Sequence, residues 1–113
     1  MTSVEQKLTR EELKTTAENT FGDMVKAIVD IKRNLLAIDA ELHADLEGHL
    51  LEQGPHQEDL WGINLYPGSS ADDMIEFDSM INIRPSQGNR TRGIDDENTR
   101  KNVTAVIHNW VEQ

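Results

Sequence analysis

Three arginines crowd one short stretch. Arg84, Arg90 and Arg92 stand in Arg-Pro-Ser-Gln-Gly-Asn-Arg-Thr-Arg, with no acid among them. A guanidinium presents a planar fork of donors that matches carboxylates and phosphates in two-point contacts. Gln87 adds an amide donor, and Gly88 and Gly93 let backbone N–H groups approach the same ligand. The set reads as a candidate site for phosphate, carboxylate or nucleotide. Asp95, Asp96 and Glu97 follow at once and oppose an anion. The competing reading is that these arginines pair with the protein's own carboxylates.

A second set centres on His43 and Asp45, in Glu41-Leu-His-Ala-Asp45. On a strand, residues two apart face the same way, so Glu41, His43 and Asp45 would converge. One imidazole with carboxylates can hold a divalent cation or act as a general base. Glu76 and Asp78 share a face of a later strand and would add oxygen ligands for Mg²⁺ or Ca²⁺. The plainer alternative has His43 packing against the next element and the carboxylates wetting a sheet face. Trp61 and Tyr66 bracket another apolar run, where they either stack a planar ligand or fill the core edge. Gly62 between them marks a bulge or the close approach of another segment.

The elements that must position these groups follow from patterning. Thr9 with Glu12 is a capping box, opening a helix over residues 10–20 with Leu13, Ala17 and Phe21 on its buried stripe. Residues 25–32 alternate with strong β-formers, Arg33-Asn34 turns the chain, and 35–40 returns, which predicts an antiparallel hairpin rather than one long helix. Asp45 caps a short helix over 46–53. Residues 60–66 and 74–84 read as two more strands. The second has Ile75, Phe77, Ile81 and Ile83 on one side and polar residues on the other, the pattern of a sheet covered on one face. Residues 85–93 form a loop rich in turn formers. Asp95 or Asp96 caps a last helix that buries Val103, Val106, Ile107 and Trp110. The order α-β-β-α-β-β-α predicts an α+β domain, a four-stranded antiparallel sheet from two hairpins with helices on one face. Residues 1–8 are expected as a flexible tail and 9–113 as the single domain.

Charge sharpens the picture. The chain has 113 residues and a formal net charge of -10. Residues 34–83 hold eleven carboxylates and no Lys or Arg, and the arginine stretch follows directly. Such a surface disfavours phosphate-neutralising nucleic-acid binding and docking on anionic membranes. The chain has no cysteine, which removes disulfides and thiolate metal sites. No apolar run reaches the roughly 18 residues that span a bilayer, and the first residues lack the pattern of a signal peptide. No motif for a nucleotide, zinc or nucleophilic-serine site is present, and no cofactor is evident.

Three segments together carry a resemblance: Glu41-Leu-His-Ala-Asp45, Leu60-Trp-Gly-Ile-Asn-Leu-Tyr-Pro67 and the run from Ile75 through Ile-Asn-Ile-Arg-Pro-Ser-Gln-Gly-Asn to Arg90. From Leu8 to Val111 the chain resembles a family of small prokaryotic proteins known only as a domain of unknown function. The resemblance implies a soluble cytoplasmic protein and transfers no activity or catalytic residue. The expectation from sequence is therefore a binding or self-associating module, with a homodimer or a protein as partner. The alternative is an anion-binding or metal-assisted hydrolytic protein built on the two residue sets above.

Overall fold

Thr9 starts the first helix by the chemistry expected of it. In the computed structural model, which describes residues 2–3, 6–38, 43, 48, 57–70 and 73–112, α1 runs Arg10–Glu18. The Thr9 hydroxyl accepts the Glu12 N–H at 3.0 Å, and the Glu12 carboxylate accepts the Thr9 N–H at 3.2 Å. Leu13 and Ala17 are buried. Phe21 is not: the helix stops at Glu18, and Gly22, at φ +94°, turns its N–H back onto the Ala17 carbonyl at 2.6 Å. Phe21 thus falls off the stripe and stays 42% exposed, with the Lys26 ammonium 5.4 Å from its ring centre.

The hairpin forms as patterned. β2 is Val25–Asp30 and β3 is Leu35–Ile38, antiparallel, with Asp30 opposite Leu35. Asp30 Oδ1 accepts the N–H groups of Lys32 and Arg33, each at 3.0 Å, and closes the turn. Asn34 takes φ +54°, a left-handed conformation that Asn tolerates better than most residues. A continuous helix through this region is excluded.

Among the described residues, five strands make one antiparallel sheet. β1 is Thr2–Ser3, β4 is Leu60–Leu65 and β5 is Ile75–Glu76, in the order β1-β3-β2-β4-β5. β1 belongs to the stretch expected as a tail and pairs with Ala37 and Ile38. Leu8 also bridges Val111, its N–H reaching the Trp110 carbonyl at 2.7 Å. The last helix, α2, spans Glu97–Trp110 with Asp96 as its cap. The short helix expected over 46–53 lies outside the described residues apart from Gly48, which is helical.

Both described helices pack on one face. Leu13 and Ala17 of α1 and Val103, Val106 and Ile107 of α2 join Val25, Ala27, Val29, Leu36, Ile38, Trp61, Ile63 and Leu65 in one core. Full burial of each large aliphatic side chain contributes about 1.5–3 kcal/mol. The opposite face departs from the expected wet surface. Ile28, Ala37 and Leu60 are wholly buried there, with Ile81 against them. Among the described residues no helix is long and apolar enough to cross a membrane.

The fourth strand is the largest difference. Pairing ends after Glu76, and Met80–Asn82 and Pro85–Gln87 are single turns of 3₁₀ helix. Side chains displace the ladder: Asn82 bonds both backbone groups of Gly62, where a neighbouring strand would have paired. The alternation of Ile75, Phe77, Ile81 and Ile83 therefore does not describe one strand face, and Ile83 is 41% exposed.

Candidate functional site

The segment after β5 closes the outer edge of β4 residue by residue. At Asn64 the edge pairs with Glu76 of β5. At Gly62, Asn82 Oδ1 accepts the N–H at 2.8 Å and Asn82 Nδ2 donates to the C=O at 2.9 Å. At Leu60, an Arg84 guanidinium nitrogen donates to the carbonyl. An open strand edge is a template for unwanted pairing, and here it is capped by an amide and a guanidinium. Gly62 is what lets them in. A Cβ at that position would lie 2.7 Å from both Cβ and Oγ of Ser79.

Asn89 fixes the rest of the segment. Its Nδ2 sits 2.7, 3.2 and 2.8 Å from the carbonyls of Asn82, Thr91 and Gly93, and its Oδ1 accepts the Asp95 N–H at 2.7 Å. Its backbone bridges Arg84 in both directions, the N–H groups reaching the carbonyls at 2.7 and 3.1 Å. Gly88, at φ +82°, makes the turn between them. Nothing in the spacing of Asn82 and Asn89 announces these roles. Both lie in a run whose strongest sequence signal is β alternation and turn composition.

The candidate anion residues are therefore spread out and mostly engaged. Arg84 Nε also donates to the Ile81 carbonyl at 2.9 Å, and its guanidinium carbon lies 4.8 Å from the Trp61 ring centre. Gln87 donates to the Glu58 carbonyl at 3.1 Å and accepts from Arg84 at 3.3 Å. Arg92 Nε pairs with Asp78 at 2.7 Å, both side chains substantially exposed. Arg90 is exposed, and its side chain meets no partner among the described residues; its backbone N–H donates to Asp95 at 3.0 Å.

The His43 set is similarly committed. His43 is helical rather than part of a strand; Glu41 and Asp45 lie outside the described residues. His43 Nε2 is 2.7 Å from the Ile63 carbonyl. That oxygen can only accept, so Nε2 carries the proton. Burial pushes the imidazole below its ordinary value of 6.5, opposed by that hydrogen bond, with smaller influences from Lys26, Asp78 and Arg92. His43, Asp78 and Arg92 thus share one electrostatic neighbourhood. Glu76 accepts from Asn64 at 2.8 Å and from Tyr66 at 3.2 Å. Burial, then Glu76, raises the Tyr66 hydroxyl above its ordinary range. Arg84 docks at Leu60 and Glu76 at Asn64, four residues along β4 and so about 13 Å apart. Among the described residues no three His, Asp or Glu side chains are placed to hold a metal ion.

Sequence reasoning missed a cleft of about 520 Å³ that opens beside Trp61. Glu58, Gly88, Asp95, Asp96 and Thr99 line it, and the Arg84 guanidinium stands against two more of its lining residues, Trp61 and Gln87. Asp95 is held below the ordinary carboxylate range first by the Thr91 hydroxyl and then by the Arg90 N–H. Asp96 is held down by the hydroxyl and N–H of Thr99. Trp61 is only 5% exposed, and its indole N–H has no acceptor among the described residues. Buried donors are nearly always satisfied, and the other indole, Trp110, donates to the Asn34 carbonyl at 2.8 Å.

A family model described as protein of unknown function (DUF5674) matches residues 2–110. The chain belongs to that family. No curated protein and no solved structure matches it.

Proposed function

We propose that the chain is a binding module for a protein partner, which it meets through the turn from Met80 to Ile83. One observation carries the reading: Met80 is 70% and Ile83 41% exposed, on a segment whose backbone is otherwise tied down. The Ile83 N–H reaches the Met80 carbonyl at 3.1 Å, so the two residues close one turn. Ser79 N–H bonds the Arg92 carbonyl at 2.9 Å, Asn82 bonds Gly62, and Arg84 bonds Ile81. Ordering is thereby complete before contact, and preorganisation lowers the entropic cost of binding. Apolar side chains displayed in this way mark interaction sites more than a single scattered Leu would.

The net charge of -10 opposes pairing of two copies and favours a partner with a basic surface. A homodimer is the second reading, favoured by the self-complementary use of one patch. The anion-binding and hydrolytic readings have less support. Arg84, Arg92, Gln87, Glu76, Asp78 and His43 already bond to other groups of the chain.

The test is site-specific photo-crosslinking in source cells, with the crosslinker at position 83 or, as a control, at the exposed Glu97. A discrete adduct from 83 and none from 97 supports the reading. An adduct of twice the chain's mass identifies the partner as a second copy. The reading fails if position 83 gives no adduct or the same adducts as 97.

A further inference from the structure

The turn from Met80 to Ile83 displays the most accessible sulfur among the described residues. Met80 is 70% exposed, whereas Met74 is 0% exposed in the core and Met24 is partly buried. The chain has no cysteine to compete for an oxidant. Oxidation follows exposure, so a peroxide reaches the Met80 thioether before the other two.

The chemistry is a transfer of one oxygen atom. The Met80 sulfur attacks hydrogen peroxide, the O–O bond breaks and an S–O bond forms. The sulfur gives up two electrons, and the second peroxide oxygen leaves as water. A thiol-dependent reductase reverses the change: the sulfoxide oxygen leaves as water while two thiols become a disulfide.

The product is polar and chiral where the thioether was flexible and apolar. In the core, at Met74, it would disrupt packing. At Met80 the fold has little to lose, because none of the bonds that hold the turn uses the side chain. Ser79 Oγ accepts the Ile81 N–H at 3.4 Å, the Ile83 N–H reaches the Met80 carbonyl at 3.1 Å, and Asn82 bonds Gly62. The sulfoxide instead places a strong acceptor beside Ile83, and covering it without a donor is costly.

We infer that Met80 is a redox-sensitive modification site, and that its oxidation by peroxide releases the partner held at the Met80–Ile83 turn. The inference rests on the reading of that turn as the contact surface.

The experiment uses the whole chain with the photo-crosslinker at position 83. It is treated with dilute hydrogen peroxide, desalted, and photolysed in desalted extract of the source cells. Peptide mass mapping should find Met80 oxidised at least about tenfold ahead of Met74, which reacts only when the structure opens. The adduct given by the untreated chain should fall about fivefold or more. It should return after treatment with a methionine sulfoxide reductase and dithiothreitol. Met80→Leu stays apolar and takes no oxygen, so its adduct should survive peroxide. No adduct from the untreated chain defeats the contact-surface reading and the inference together. An adduct that persists once Met80 is oxidised, or that peroxide also removes from Met80→Leu, overturns the inference alone. Oxidation of Met74 or Met24 ahead of Met80 does the same.

Discussion

The side-chain amide of Asn82 binds Gly62 as a β-strand would, taking its N–H at 2.8 Å and its C=O at 2.9 Å. Asn82 is fully buried, so neither group of Gly62 has water to fall back on. Removing the amide strands two buried backbone groups, each at a cost of about 1–3 kcal/mol. Asn82→Ala should therefore lose about 2–5 kcal/mol in urea unfolding. A loss under about 0.5 kcal/mol, the range of an inconsequential surface change, would contradict this role.

Gly62 and Ser79 form a packing pair. Gly62→Ala places a methyl 2.7 Å from Ser79 Cβ and Oγ, which should cost about 1–3 kcal/mol by overpacking. Ser79→Gly removes both obstructing atoms. The double variant should recover part of that cost, with a coupling of at least about 0.5 kcal/mol. Ile81 Cγ1, at 3.1 Å, keeps the rescue incomplete. Additive behaviour of the two changes would show that the contact is not what excludes a side chain at 62.

Arg84 and Arg90 should separate cleanly. Arg84 holds the carbonyls of Leu60 and Ile81 and lies over Trp61. Lysine cannot reproduce that fork or the planar stacking, so Arg84→Lys should destabilise by about 1–3 kcal/mol. Arg90→Ala should stay within about 0.5 kcal/mol. Thermal melts in phosphate should distinguish structure from ligand binding. If phosphate raises the melting temperature of the wild type and not of Arg90→Ala, Arg90 has an anion-binding role that its surroundings do not explain.

His43 makes stability depend on pH near neutrality. Its folded value lies below 6.5 because burial disfavours the imidazolium. The unfolded chain therefore binds the extra proton first as pH falls. Stability contributed by the neutral ring is complete above about 6.5 and declines below it, by at most about 1.4 kcal/mol per pH unit. Asp95 and Asp96 act lower: both are depressed from 3.8, so their contribution is present above that value and lost as pH falls through the folded values. Unfolding curves from pH 8 to 5 should slope for the wild type and flatten for His43→Gln. An unchanged slope in the variant would assign the dependence to another group.

Met80→Ser with Ile83→Ser should lower the melting temperature only slightly, because Met80 is 70% and Ile83 41% exposed. A marked drop would mean that the turn is part of the core rather than a contact surface.

The sequence by itself determined what local rules decide. The capping box at Thr9, the β alternation over 25–30 with its turn at Asn34, the strand over 60–65 and the buried stripe of α2 follow from spacing and propensity. The α+β class follows from their order. Tertiary structure decided the segment after Glu76. Its alternation reads as a strand, yet two asparagines and an arginine bond backbone groups that a strand would have used. Hydrogen bonds between residues 20 apart, as between Gly62 and Asn82, leave no periodic trace. The same reason hid the cleft: Trp61, Glu58 and Asp96 meet only because β4 and α2 share a core. The charge pattern pointed to the arginines as the chemistry of this chain. Folding uses Arg84 as a strut and Arg92 as the partner of Asp78.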